Sequence, residues 1–211
     1  MNKIRFRYKK TGRAKYISHL DMMAALQRAF IRAGVHLSYS GGFNPHPYIS
    51  CALPLSVGAE SICELVDVAV EDGVIPDLRT IKLPEGVEIN EVYTSARKFN
   101  DISWIEILVQ MHYDNHIDDV TAKGIQDSLK RSSIIISKRT KRGSKELDIA
   151  PYIKDVQFCP GEKSTFKAKI SAQNPTLNID DIENAFDYHL KPDYICIKRI
   201  ELYDSNMVKF N

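Results

Sequence analysis

The chain has 211 residues, of which 44% are hydrophobic and 27% are charged, and its formal net charge is +2. These proportions are ordinary for a soluble globular protein, and the length allows one large core or two cores of about 100 residues each. No apolar run approaches the roughly 20 residues of a membrane helix, and no secretory signal is visible. The four cysteines are scattered without a CxxC pair, so we expect reduced thiols and a cytoplasmic protein.

The first half of the sequence predicts the order strand, helix, strand, strand, helix, strand. Residues 3–9 alternate apolar and basic side chains, which is typical of a strand with one buried face. A helix is predicted over 18–33, because Ser18 and Asp21 have the spacing of a capping box and Gly34 follows the apolar face. The other predicted elements are strands near 36–39, 48–53, 62–70 and 87–94 and a short helix near 75–81.

The second half repeats this order. The predicted elements are a strand at 103–112, a helix at 119–131, a strand at 132–138, a basic loop at 138–145, strands within 146–158 and at 164–171, a helix at 178–189 and a strand at 194–203. Each half then has the βαββαβ order of a ferredoxin-like unit. We therefore expect an α+β fold of two tandem ferredoxin-like units with mainly antiparallel sheets, in domains 1–98 and 102–211. In such a unit two helices cover one sheet face and leave the other free for a partner.

Basic residues concentrate in two places. The first 20 residues hold seven Lys or Arg and no acid, and a second cluster follows position 137. Such clusters favour phosphate binding, although each is also compatible with a solvated surface. The residues expected to contact RNA through these clusters are Arg5, Arg7, Lys15, Lys138, Arg139, Lys141 and Arg142.

The run Tyr16-Ile-Ser-His-Leu-Asp21 lies at a predicted junction between a strand and a helix. Free backbone N–H groups and the helix dipole attract anions at such a junction. His19 would lie on the first helical turn, where an imidazole can contact a phosphate or act as a general acid or base. The alternative is purely structural, because capping already explains Ser18 and Asp21.

A turn-rich run, Ser40-Gly-Gly-Phe-Asn-Pro-His-Pro47, follows the predicted helix. Phe43 offers a face on which an unpaired base can stack, and Asn44 and His46 offer polar groups beside it. The alternative is a rigid hairpin that buries Phe43 as its anchor. We expect this run and the Tyr16–Asp21 run to meet in one pocket, with Tyr16, Phe43 and Asn44 binding RNA and with His19 and His46 as candidate catalytic residues.

Several cofactor signatures are missing from the sequence. There is no CxxxCxxC triad for an iron–sulfur cluster and no phosphate-binding Gly-x-x-x-x-Gly-Lys motif. His112 and His116 have i,i+4 spacing, but they fall at the end of a predicted strand, which disfavours a metal site. We expect neither a cofactor nor a metal.

The ordered motifs resemble those of the radical-SAM-linked protein family of bacteria, over essentially the whole chain. The residues that carry the resemblance are Tyr16–Asp21, Gln27-Arg-Ala29, Gly42–Pro47, Ala52-Leu-Pro-Leu-Ser-Val-Gly58, Glu64-x-x-Asp67, Lys138-Arg-Thr-Lys-Arg-Gly143 and Asp148-Ile149. The resemblance implies a bacterial protein that works with a radical-SAM partner in an RNA or ribosome setting. It implies no particular activity for the chain itself.

Three functions remain open at this point. The first is an RNA-binding or substrate-presenting partner of a radical-SAM enzyme, acting on tRNA or rRNA. The second is a metal-free RNA-processing enzyme that uses His19, with His46 or Tyr16. The third is an adaptor that binds other proteins and no RNA. Neither DNA nor a membrane is an expected partner.

Overall fold

The computed structural model describes residues 2–71, 81–115, 117–140 and 143–211. It divides into two compact units: unit 1 comprises residues up to Asp101 together with Asn211, and unit 2 runs from Ile102 to Phe210. Both units combine mainly antiparallel strands with few helices, which confirms the α+β class. Within the described ranges, no helix is both long and apolar enough to cross a membrane.

Unit 1 is a small antiparallel sheet with one long helix. Its elements are β1 (Asn2–Lys10), α1 (His19–Arg32), β2 (Ile49–Cys51), β3 (Glu60–Val70) and β4 (Val87–Tyr93). The strands lie in the order β4-β1-β3-β2, and each neighbouring pair is antiparallel. The helix predicted near 75–81 falls mostly on residues 72–80, outside the described ranges.

The core of unit 1 follows directly from the sequence periodicities. Ile4, Phe6 and Tyr8 alternate along β1 and are buried. The buried residues of α1 recur every three or four positions, and the ring of Phe30 packs edge-on against Phe6 with centres 5.3 Å apart. Burial of each such side chain stabilises the fold by about 1.5–3 kcal/mol.

The chain between α1 and β2 differs from the prediction. Residues 36–39 do not form a strand and make only isolated bridges, such as that of Leu37 with Val70. Ser38 donates its N–H to the carbonyl of Ala69, and Ala69 in turn donates to the carbonyl of Tyr48. Residues 36–38 and 48–51 therefore follow the edge of β3 in succession, and residues 39–47 leave it as a projecting hairpin.

The strands of unit 2 are also mainly antiparallel. The elements of this unit are β5 (Ile102–His112), α2 (Asp119–Leu129), β6 (Ile135–Thr140), β7 (Gly143–Asp148), β8 (Ile153–Phe158), β9 (Thr165–Ser171), α3 (Ile179–Glu183) and β10 (Tyr194–Asp204). Four of these strands lie in the order β10-β5-β9-β8, and β6 and β7 pair separately. The alternation of buried residues along β5 gives this sheet one buried face.

Two predictions for unit 2 were wrong. The basic loop at 138–145 is the tip of the β6–β7 hairpin, since Lys138 pairs with Lys145 and Thr140 with Gly143 across it. The helix predicted at 178–189 ends at Glu183. Asp187 has an extended backbone and binds Arg131 at 2.6 Å, which holds this stretch of chain outside the helix.

The phenol of Tyr113 makes the stability of unit 2 dependent on pH. It donates to the carbonyl of Leu190 at 2.7 Å, and burial, with a smaller contribution from Asp193, raises the pKa of Tyr113 to about 12. Because a tyrosine in an unfolded chain titrates near 10, the stability that this group contributes is complete below about pH 10 and is lost as the pH rises towards 12.

We therefore expect Tyr113→Phe to be less stable than the wild type at pH 8, with the difference shrinking from pH 10 to 12. Urea unfolding of both proteins across this pH range, followed by Trp104 fluorescence, measures the difference in stability. Groups that titrate in the same way in both proteins do not contribute to this difference. A constant difference across the range would show that the phenol does not carry this pH dependence.

Candidate nucleic-acid interface

The Tyr16–Asp21 run begins on a short 3-10 turn at the end of β1. This turn covers Gly12–Tyr16 and is anchored on both sides: Thr11 donates its N–H to the carbonyl of Gly86, and Gly58 donates to that of Lys15. The ring of Tyr16 is 62% exposed, and the ammonium of Lys15 lies 5.2 Å from its centre. A basic group and an exposed ring are thus presented together.

The start of α1 is capped from within the chain. The hydroxyl of Ser18 accepts from the N–H of Asp21 and donates to its carboxylate at 2.7 Å. His19 is the first helical residue and is half-buried. Nearby, Lys10 donates to the carbonyl of Ile17 at 2.6 Å, and burial lowers the pKa of Lys10, with Glu64 opposing the shift. The carboxylate of Asp21 already complements the positive helix end, so capping explains this part of the motif without a ligand.

The projecting hairpin of residues 39–47 exposes its tip fully. Ser40 donates its N–H to the carbonyl of His46, and the N–H of His46 returns to the Ser40 hydroxyl at 3.0 Å. These bonds fix the two arms, while Asn44 and His46 are exposed and Phe43 has 111% relative exposure. The interpretation of Phe43 as a buried anchor was therefore wrong.

His19 and the hairpin do not form the single pocket that we predicted. Lys10, next to the start of α1, pairs with Ser61, whereas the hairpin leaves β3 at Ala69, which pairs with Lys3. Seven residues of β1 separate these two points, which corresponds to about 23 Å. The prediction failed because α1 carries the chain from the end of β1, which precedes His19, back to the start of β1, where the hairpin joins β3. His19 and His46 are thus not placed as an acid–base pair.

Arg5 is not available for RNA. It is 1% exposed, binds both carboxylate oxygens of Asp67 at 2.7 and 3.0 Å, and donates to the carbonyl of Arg97. Its guanidinium also lies 4.4 Å from the ring centre of Phe99. The expected RNA contact at Arg5 is corrected to a structural role: this face of the unit 1 sheet is covered by residues 95–99. Arg7, two positions along the same strand, is half-buried.

The second basic cluster is only partly accessible. Lys138 pairs with Asp181 and donates to the carbonyl of Thr176, so its ammonium is held within unit 2. It lines a cavity of about 710 Å³ together with Ser137, Ser144, Asn178, Asp180, Asp181, Glu183 and Asn184. This acidic lining disfavours phosphate. The side chain of Arg139 and the whole of Lys141 and Arg142 lie outside the described parts of the structure.

Asp148 fixes the base of the β6–β7 hairpin. Its carboxylate accepts the N–H groups of Ile134 at 2.8 Å and Ala150 at 3.0 Å, and these bonds lower the pKa of Asp148. The hairpin therefore leaves unit 2 from a defined point.

Sequence analysis missed a further surface on unit 2. The sheet face opposite the core carries Trp104, Lys154, Lys167, Lys169, Lys198 and Tyr203, which come from four different strands. Alternation along each strand assigns these residues to one face, but only the strand pairing shows that they are neighbours. In the described ranges, no group of three His, Cys, Asp or Glu side chains has a metal-binding arrangement.

These features define an α+β protein with an exposed aromatic ring on a hairpin and with partly exposed aromatic and basic side chains on one sheet face. The chain belongs to the family described as "Uncharacterized protein conserved in bacteria (DUF2344)", whose model matches residues 3–180. No curated protein matches the sequence. Among solved structures, it is similar to a chain of the "Crystal Structure of a Cbf5-Nop10-Gar1 Complex", with 12% identity and a TM-score of 0.47. That similarity covers 93% of this chain and 49% of the other, so this chain spans about half of that protein's length.

Proposed function

We propose that this protein binds RNA and presents it to a radical-SAM enzyme, with tRNA or rRNA as the RNA and the cytoplasm as the location. The RNA-binding part is supported by the exposed aromatic and basic groups described above. The radical-SAM partner is supported by the motifs that resemble the radical-SAM-linked family. We also propose that each unit is ferredoxin-like, since β4 lies beside β1 and β3 beside β2 in unit 1, and β10 lies beside β5 and β9 beside β8 in unit 2.

The projecting hairpin is the observation that carries the proposal. A phenylalanine with a fully exposed ring on a hydrogen-bonded hairpin contributes nothing to the core of unit 1. Tyr39 and Tyr48, which flank the same hairpin, are 44% and 47% exposed. Aromatic rings presented in this way stack on unpaired bases, and such stacking is worth about 1–3 kcal/mol per base.

The alternatives have weaker support. RNA cleavage by an acid–base pair needs two groups on either side of one phosphate. The end of β1 that precedes His19 lies about 23 Å along the strand from the base of the hairpin that carries His46. An adaptor for proteins would also use exposed aromatic groups. It would not require lysines beside the rings, as at Tyr16 and Trp104.

Phe43→Ala tests the proposal. Loss of one stacked base should weaken RNA binding by about 5- to 150-fold, whereas Phe43→Trp should retain it. Fluorescence anisotropy with a labelled RNA that contains unpaired bases measures the affinity. Tyr188→Ala is the matched control, because Tyr188 is 93% exposed on unit 2 and belongs to neither surface. Equal affinities for Phe43→Ala and the wild type would contradict the role of the hairpin.

A further inference from the structure

The unit 2 sheet has one buried face and one face that is open to a ligand within this unit. Along β5, Ile105, Ile107 and Val109 are buried, while the alternate positions Trp104, Glu106, Leu108 and Gln110 are partly or fully exposed. Residues directly opposite on paired strands lie on the same face. The pairings of β5 with β9 and β10 therefore define the open face without ambiguity.

Two aromatic residues lie side by side on the open face. Tyr203 of β10 is the direct partner of Trp104 of β5. The Tyr203 hydroxyl donates to Glu106 at 2.7 Å, which fixes the orientation of its ring. At the other end of the same strand pair, Tyr194 is the partner of His112, with ring centres 5.9 Å apart. The face thus has an aromatic pair at each end.

Lysines surround these rings. The ammonium of Lys154 lies 4.0 Å from the ring centre of Trp104. The ammonium of Lys169 lies 4.9 Å from the centre of Tyr203 and is paired with Asp155 at 2.7 Å. Lys167 pairs with Leu108 from one side and Lys198 pairs with it from the other, so both flank the middle of the face. Lys154 and Lys167 are exposed.

This combination fits a single-stranded nucleic acid. Each base offers a flat surface to an aromatic ring, and each phosphate offers a negative charge to an ammonium at the ring edge. A base that stacked on Trp104 would take the place of the Lys154 ammonium, which could then reach the phosphate. A rigid duplex hides its base faces and would reach only the lysines.

The corresponding face of unit 1 differs. There, the ring of Phe99 covers Arg5, and the guanidinium of Arg5 is hydrogen-bonded to the carboxylate of Asp67. The two units therefore resemble each other in strand order, but they differ in the side chains that this sheet face presents to a ligand.

We propose that the open sheet face of unit 2 binds an unpaired stretch of RNA, with bases on Trp104 and Tyr203 and phosphates on Lys154 and Lys167. This inference rests on the proposed RNA-binding function and assigns to it a second surface and a single-stranded substrate. The surface is independent of the hairpin on unit 1, which is argued from different residues.

Trp104 provides a direct test, because it is the one tryptophan of the chain. Titration of the full chain with a single-stranded oligouridine should quench its fluorescence saturably, since stacking on a base changes the environment of the indole. A duplex RNA of equal length should leave most of the fluorescence unchanged. Saturable quenching by the duplex to the same extent would overturn the single-stranded specificity.

Charge reversal separates this surface from the rest of the molecule. Lys154→Glu with Lys167→Glu should weaken oligouridine binding by about tenfold or more and reduce the salt slope by about two. Lys123→Glu with Lys130→Glu changes the net charge equally at exposed positions on and after α2, and it should have a much smaller effect. Trp104→Phe keeps a stacking ring and should retain most affinity even where Trp104→Ala disturbs folding.

The outcomes distinguish the two proposals. RNA binding by anisotropy with unchanged Trp104 fluorescence, and with equal effects of the two double variants, would overturn the sheet-face site and leave the proposed function standing. An absence of binding to any RNA would overturn both. Quenching that persists in Phe43→Ala would show that the sheet face binds without the hairpin.

Discussion

Replacing Asp67 with alanine should destabilise unit 1 by about 3–5 kcal/mol. Asp67 is 2% exposed and binds the Arg5 guanidinium through both oxygens, so its removal takes away the carboxylate that pairs with a buried positive charge. The hydrogen bonds from Arg5 to the Ser95 hydroxyl and to the carbonyl of Arg97 carry no negative charge that would replace the lost carboxylate. Urea unfolding of the full chain by far-UV circular dichroism measures the loss, while Trp104 fluorescence reports unit 2 separately.

Lys3→Ala is the matched control, because Lys3 pairs with the same carboxylate at 2.6 Å from a side chain that is 57% exposed. An exposed pair contributes about 0–1 kcal/mol, so Lys3→Ala should be close to the wild type. Similar losses for Asp67→Ala and Lys3→Ala would mean that Arg5 and Asp67 do not form a buried structural pair. The structural role of Arg5 would then be wrong.

Gly86→Ala should be the second severe change, with a loss of about 3 kcal/mol or more. Gly86 has a φ of +83°, which an alanine adopts only at a cost, and an added Cβ would lie 2.2 Å from the carbonyl oxygen of Thr11. Neither backbone can give way without breaking the hydrogen bond from Thr11 to Gly86. The turn that carries Lys15 and Tyr16 would lose one of its two backbone anchors, so trypsin should cut after Lys15 faster than in the wild type.

Gly12→Ala is the matched control, because it introduces backbone strain without the steric clash expected at Gly86. Gly12 has a φ of +60°, but a Cβ there meets no described atom within 4 Å. The loss should therefore be limited to about 1–2 kcal/mol. If Gly86→Ala were no more damaging than Gly12→Ala in urea unfolding, the close approach of Thr11 to Gly86 would not be part of the fold.

Much of the fold could be predicted from local patterns. The alternation in β1, the cap at Ser18 and the apolar face ending before Gly34 located β1 and α1 within one residue or two. These signals are local, and each reports burial on one face of one element. The pairing along the edge of β3 could not be predicted in this way. Residues 36–38 and 48–51 are separate in the sequence, and both stretches bind the backbone of Ala69.

The candidate site was harder to predict, because charge in a sequence does not show where a side chain ends. The sequence predicted that Arg5 and Lys138 are surface cations. In the structure, Arg5 is paired with Asp67 and Lys138 with Asp181, and both carboxylates come from distant parts of the chain. The exposure of Phe43 was one of the two alternatives that the sequence left open. Its separation from His19 could not be predicted, because it depends on how the strands pair. The open face of unit 2 gave no local signal, since its lysines and rings are distributed over four strands.

RNA binding by the full chain through its aromatic and basic surfaces is tested most directly by the affinity of the wild-type chain for a labelled RNA with an unpaired stretch. Fluorescence anisotropy at several salt concentrations measures this affinity. We expect saturable binding at low salt, with the logarithm of the affinity falling linearly as the logarithm of the salt concentration rises. An absence of binding at low salt, or an affinity that does not change with salt, would contradict the account.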